Sequence, residues 1–207
     1  MAHPHTYVIA FDFESFGPIP NIHGFTELGA VVGDLETGEI VDTFRMSANQ
    51  SGYTQDKECI ETFWNKHPGT YEETIKKCSE SDKKPREVVD LFVGWIRDFV
   101  ENKSISNIYL LTDCATYDSG ILKTFSSYST LKIINNDALD IIDSTSFYLG
   151  IARVFMTNSV VSGYSFECAL SALNGPKFIS SVSHDHNPVN DATVIFEKWF
   201  HMNKCLK

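Results

Sequence analysis

The segment YVIAFDFE, residues 7–14, constrains the fold more than any other part of the chain. It is an apolar, β-prone run that turns acidic only at its end. So continuous an apolar stretch reads as a strand covered on both faces, because a strand with one wet face alternates apolar with polar residues. Positions two apart on a strand face the same side, so Asp12 and Glu14 point one way and Phe13 the other. Two carboxylates this close repel, and burial at the end of a core strand raises the cost. A divalent cation between them removes both penalties, and hard oxygen ligands favour Mg²⁺ or Mn²⁺. Spacing by itself carries little weight. With 14 Asp and 13 Glu, chance supplies a D-x-E, and further copies do occur, Asp34–Glu36 among them. That copy falls in a turn and reads as a solvated loop, whereas the first ends a core strand.

Around this strand the remaining elements can be ordered. FTELGAVVGD and EIVDTFRM flank the turn LETG and read as a hairpin, so the first three strands are expected to be contiguous. KECIETFWNKHPGTYEETIKKC reads as two short helices broken at Pro68–Gly69. KPREVVDLFVGWIRDFVEN is the clearest helix: Pro85 suits its first turn, and Val88, Leu91, Phe92, Trp95, Phe99 and Val100 recur at helical spacing. SNIYLLTD reads as a strand, DSGILKTFSSY as a short helix and LKIINN as a last short strand. From about Asp140 onward the chain reads as helices joined by loops. The order predicts an α/β fold in one domain spanning residues 1–207. Its mixed sheet begins with three antiparallel strands, continues with parallel ones and is flanked by helices.

Composition narrows the function classes. The formal charge is −10, which counts against a protein that holds nucleic acid by bulk attraction. It counts less against a nuclease, because bound divalent metals reverse the sign of an acidic site. No run of about 18 apolar residues predicts a membrane span, and MAHPHTYVIAFDFE lacks the basic start of a secretory leader. Five widely spaced cysteines without a C-x-x-C pair read as free thiols, which points to a reducing, intracellular and most simply cytoplasmic setting.

Two further acids resemble the first pair in their setting. Asp118 follows the strand IYLLTD after a short connection and shares a helical face with Leu122 and Phe125. It either caps that helix, which Asp does well, or joins a site. In HNPVNDATVIFEKWF, Asn187 can cap and Pro188 can take the first helical position. Asp191 then heads an apolar stripe with Ile195, Trp199 and Met202, where an acid asks for a partner. His186 lies on the loop five residues before it.

FDFES, ATYDSGIL and HNPVNDA, in this order and at these separations, resemble the three motifs of the DEDDh exonucleases, such as ribonuclease T, oligoribonuclease and the proofreading subunit of bacterial DNA polymerase III. The likeness runs from about Tyr7 to Trp199. ELGAVV resembles the second strand these enzymes carry. CIETFWNKHPGTYEE resembles the Trp-bearing helices of a subgroup that includes phage exonuclease A and a mycobacterial exoribonuclease.

The resemblance implies a ribonuclease H-like fold and a site holding two Mg²⁺ or Mn²⁺ ions. It implies Asp12, Glu14, Asp118 and Asp191 as ligands and His186 as general base. Ser15 stands where the family often has Thr, near the terminal nucleotide. Phe16 is either a platform for the terminal base or part of the core, the commoner fate of a Phe. Asp113 departs from the family pattern and is read as a strand-end cap rather than an additional ligand. His184 lies off the family spacing and is read as a loop residue. The implied activity is 3′→5′ hydrolysis of single-stranded nucleic acid to nucleoside 5′-monophosphates. The implied partners are DNA or RNA 3′ ends, with a homodimer as a candidate assembly. Two alternatives stay open: an exoribonuclease restricted to RNA or short oligoribonucleotides, and a non-catalytic binding module on the same fold.

Overall fold

A computed structural model describes residues 6–103, 105, 108–127, 129, 130, 139–155 and 165–207. Its elements, in chain order, start with β1 (Tyr7–Glu14), α1 (Pro20–His23), β2 (Glu27–Asp34) and β3 (Ile40–Ser47). Next come α2 (Lys57–Thr62), a 3₁₀ turn (Trp64–Lys66), α3 (Pro68–Glu80) and α4 (Pro85–Lys103). Then follow β4 (Ile108–Thr112), α5 (Ala115–Phe125), β5 (Leu139–Asp143), α6 (Ser144–Phe155), α7 (Ser165–Ala172) and α8 (Pro188–Cys205). The five strands form one sheet in the order β3-β2-β1-β4-β5. β1 pairs antiparallel with β2 and parallel with β4, and β4 pairs parallel with β5. The mixed sheet with its antiparallel part first is the expected architecture.

β1 is the centre of this sheet, and its alternation assigns the two cores. Ile9, Phe11 and Phe13 pack with α4 and α5 residues such as Phe92, Ile96 and Leu122. Val8 and Ala10 pack on the other face with Tyr148, Phe166, Ile195 and Phe196 from α6, α7 and α8. Asp12 and Glu14 continue the second set, so they emerge on the α8 side of the sheet, where the apolar residues of β1 run out. Two glycines let α8 lie close to that face. A Cβ at Gly29 would stand 2.3 Å from the Pro188 carbonyl carbon, and one at Gly33 would stand 2.0 Å from the Phe196 ring. In the register, Gly29 is opposite Asp12 and Gly33 opposite Val8. The helix therefore lands on the side of the acids.

Several expectations need correction. Among the described residues the last strand is LDIID, where the sequence predicts the start of the helical region; the expected strand LKIINN, residues 131–136, lies outside the described residues. Five residues of mixed polarity give no period-2 signal, so LDIID merged with the helix after it. In α4, Leu91 is exposed and the buried stripe is Val88, Val89, Phe92, Val93, Ile96 and Phe99. The helix lies against the sheet on a face about one residue further round than the pattern suggested. Asp34 is buried rather than solvated: its Oδ1 accepts from the backbone N–H groups of Glu36 and Thr37, which ties the hairpin turn. The KECIETFWNKHPGTYEETIKKC segment contains a 3₁₀ turn between its two helices, and Pro68 takes the first turn of α3. All five cysteines are free thiols, and among the described residues no helix is long and apolar enough to cross a membrane.

Candidate active site

Four carboxylates from three separated segments meet at one end of the central strand. Asp12 and Glu14 come from β1. Asp118 comes from the first turn of α5, and Asp191 from the first turn of α8. Oxygens of Asp12, Glu14 and Asp191 lie within 4.8 Å of one another, as do those of Asp12, Asp113 and Asp118. The two sets share Asp12. Glu14, Asp118 and Asp191 are buried, and Asp12 is half-buried.

Local chemistry explains how each acid is held. Asp118 is not the helix cap. Cys114 occupies that position, and Asp118 sits four residues further on with its N–H bonded to the Cys114 carbonyl at 3.0 Å. Its Oδ2 accepts a hydrogen bond from Thr112 Oγ1. Thr112 also accepts from the Cys114 N–H at 3.2 Å, so it takes the strand-end role expected of Asp113. Asp113 instead turns its carboxylate toward Asp12 and Asp118. Asn187 caps α8 by accepting from the Val189 N–H at 3.2 Å, with Pro188 in the first turn. Asp143, absent from the sequence reading, ends β5 and accepts from the N–H groups of Ala115 and Ser146. It thereby fixes the start of both α5 and α6.

The electrostatics set these acids apart from structural ones. Glu27, opposite Glu14 in the register, is also buried, but Arg45, Lys77 and Ser47 all contact its carboxylate. Among the described residues no Lys or Arg pairs with Asp12, Glu14, Asp118 or Asp191. Burial first, and then the neighbouring carboxylates, push Asp12 and Glu14 well above the ordinary acid range. Burial pushes Asp118 up to about 7 and Asp191 up to about 6. Asp191 Oδ1 is buried without a hydrogen-bond partner. Clustered acids without a Lys or Arg partner, one of them with an unpartnered buried oxygen, fit a hard divalent cation, which would supply the missing positive charge. Asp12, Glu14, Asp118 and Asp191 are the residues that would hold such ions, with Asp113 alongside.

His186 is at the rim of this cluster. Its Nδ1 stands 3.9 Å from Glu14 Oε1, close but beyond hydrogen-bond range. The ring is not loose on its loop, because Phe63 and His67 pack against it at centroid distances of 4.5 and 4.6 Å. Burial and then the neighbouring His184 and His67 hold its pKa below the ordinary imidazole value. His184, read as a plain loop residue, belongs to the same cluster: its Nε2 lies 3.8 Å from Asp191 Oδ1.

Ser15 and Phe16 have different fates. Ser15 Oγ donates to the Gly17 carbonyl at 2.8 Å and bonds the Tyr117 hydroxyl. Its own carbonyl accepts from Trp64 Nε1 at 3.0 Å. Both Ser15 and Tyr117 line an open cleft of about 540 Å³ that Glu14 and Phe63 also line. Phe16 is buried against Trp64 and Tyr71, so the core reading holds and no ring face is left for a base. Trp64 and Tyr117 were missed as site-shaping residues because the contacts that matter join segments 49 and 102 positions apart.

No protein-family model and no curated protein matches the chain. Solved structures do. A full-length 3′-exonuclease is 16% identical with a TM-score of 0.59, over 98% of this chain and 62% of that one. The nuclease domain of 3′hExo, a DEDDh family member bound to rAMP, is 16% identical with a TM-score of 0.61, over 99% of this chain and 94% of that domain. Escherichia coli Exonuclease I in complex with a dA16 oligonucleotide is 11% identical with a TM-score of 0.62, over 96% of this chain and 41% of that one. The chain thus spans about the length of a nuclease domain and less than two thirds of the longer enzymes. At these identities the likeness establishes the fold alone, a five-stranded mixed sheet flanked by helices that this chain shares with those exonuclease structures.

Proposed function

We propose that this chain is a metal-dependent 3′→5′ exonuclease that cleaves single-stranded nucleic acid to nucleoside 5′-monophosphates. The observation that carries the reading is the convergence of four acids without cationic partners from β1, α5 and α8, with a histidine at the rim. A binding module gains nothing from that cost, whereas a hydrolase needs it. The likeness to solved 3′-exonucleases, one holding an oligonucleotide and one holding rAMP, supports the same reading.

Two bound Mg²⁺ or Mn²⁺ ions would supply charge for the scissile phosphate and for the leaving 3′-oxygen. The residues of the chain do the rest. Asp12 belongs to both acid sets and so orders them relative to one another. His186, kept neutral at physiological pH by its lowered pKa, accepts the proton of the attacking water. The water oxygen bonds to phosphorus, the P–O3′ bond breaks, and the 3′-oxygen leaves with a proton from solvent. Ser15 and Tyr117 lie in the cleft next to Glu14, where a terminal sugar would enter.

The test is a metal-dependent assay on 5′-labelled DNA and RNA, with a circular single strand beside its linear form. Stepwise shortening of linear strands with Mg²⁺ or Mn²⁺, abolished by EDTA, is expected. Equal loss of circle and linear strand would show an endonuclease, and no hydrolysis of either polymer would remove the reading. Side-by-side rates also decide between DNA and RNA, since the contacts that sense the 2′-hydroxyl form only with substrate.

A further inference from the structure

The loop before α8 brings two imidazoles to the edge of the acid cluster. Ligand atoms of His184, His186 and Asp191 all lie within 4.8 Å of one another. Asp191 Oδ1, buried and without a hydrogen-bond partner, is the oxygen that faces His184 Nε2 at 3.8 Å. The hydrolysis proposed above makes no use of His184. A set of two nitrogens and one oxygen differs in kind from the all-carboxylate sets, because imidazole suits Zn²⁺ and its neighbours while Mg²⁺ prefers oxygen.

The geometry permits closure. Metal–ligand bonds of roughly 2.0–2.1 Å place tetrahedral ligands about 3.3 Å apart, so the atoms must close by about 1.5 Å at most. The His184 side chain is 58% exposed and can close its own two distances, whereas closing the distance between His186 and the helix-held Asp191 needs the His186 ring to shift against Phe63 and His67. We propose that His184, His186 and Asp191 form a site for a borderline divalent cation, best fitted by Zn²⁺, which shares Asp191 with the carboxylate cluster. Occupancy takes the lone pair of the base and one carboxylate oxygen out of the hydrolytic arrangement. Zn²⁺ therefore inhibits at concentrations far below those of activating Mg²⁺. This consequence rests on the exonuclease reading, but binding at the site does not.

The test uses the metal-stripped full chain without nucleic acid. Co²⁺ serves as the spectroscopic probe and Zn²⁺ as its competitor. In the wild type, Co²⁺ should develop the visible bands of a low-coordinate nitrogen-containing site, and one equivalent of Zn²⁺ should remove them. His184→Gln should lose those bands and bind Zn²⁺ at least about tenfold more weakly. Its thermal shift with Mg²⁺ should match the wild type, because His184 lies outside the carboxylate sets. In the Mg²⁺-supported nuclease assay, the variant should need at least tenfold more Zn²⁺ for half inhibition. A His184→Gln variant with unchanged bands and unchanged Zn²⁺ affinity would overturn the site. A protein that binds Zn²⁺ through His184 yet hydrolyses nothing would overturn the exonuclease reading and leave the site standing.

Discussion

His186 stands at φ +60°, a backbone region that Asn tolerates better than Ala. His186→Asn is therefore a cleaner probe of the base than His186→Ala, because it removes the imidazole with little backbone strain. Either change is expected to lower kcat by on the order of 10²–10⁴-fold, the range for loss of a general base. Mg²⁺ affinity should stay near wild type. The wild-type rate should rise with pH as His186 loses its proton, with the limb centred below the usual histidine value, since burial and two neighbouring histidines depress the pKa. Both variants should lose that limb, and a normal kcat in His186→Asn would move the base elsewhere. Asp118 offers the opposite test. Its folded pKa, about 7, lies above the ordinary 3.8, so the folded state holds the extra proton between those values. Its contribution to stability is then fully present below about 3.8 and is lost as pH rises from there through about 7. Asp118→Asn should raise the Tm of the metal-free protein most at pH 8, less at pH 5 and least below pH 4, and abolish hydrolysis. A Tm at pH 8 below that of the wild type would show that Asp118 is a structural acid.

At the scale of elements, the site depends on how closely α8 approaches β2. Gly29→Ala would press a methyl against the backbone of Pro188 and Val189, which cannot rotate away. Overpacking of this kind costs roughly 1–3 kcal/mol, and here it also displaces the turn that carries Asp191. Activity should fall by more than the loss of folded protein explains. Gly33→Ala meets the Phe196 ring, a side chain that can be trimmed. Its Tm loss should be partly recovered in combination with Phe196→Leu, whereas no single side-chain change should rescue Gly29→Ala. Thermal melts and specific activities of Gly29→Ala and Gly33→Ala, each alone and with Phe196→Leu, check both statements. Equal rescue at the two positions would mean that α8 is free to slide on the sheet.

For the whole molecule, a net charge of −10 and a cluster of acids with raised pKa values predict that divalent metal raises its stability. Metal binds the ionised carboxylates, and protons compete for them. The Tm gain from 5 mM Mg²⁺ or Mn²⁺, a concentration on the order of that used for such hard-cation sites, is therefore expected to be larger at pH 8 than at pH 5.5. Asp191→Ala should shrink the gain at pH 8. A gain independent of pH would place the metal away from these acids.

Local chemistry was legible in the chain itself. A buried strand turning acidic, an Asn–Pro helix start ahead of Asp191 and a hairpin turn are all short-range patterns, and each appears where the residues predicted it. The mixed sheet followed, because strand order and connection length restrict topology. Long-range selection was not legible. That Glu27 is neutralised by Arg45 and Lys77 while Glu14 is not depends on which chains the sheet and α3 bring together. That His184 faces Asp191 depends on how the loop enters α8. That Phe16 is core and Tyr117 lines a cleft depends on Trp64, far away in sequence. Sequence periodicity reports which face of an element is apolar; the partners of a buried polar group are decided only when distant segments pack, since only then does each carboxylate meet a cation, a donor or another carboxylate.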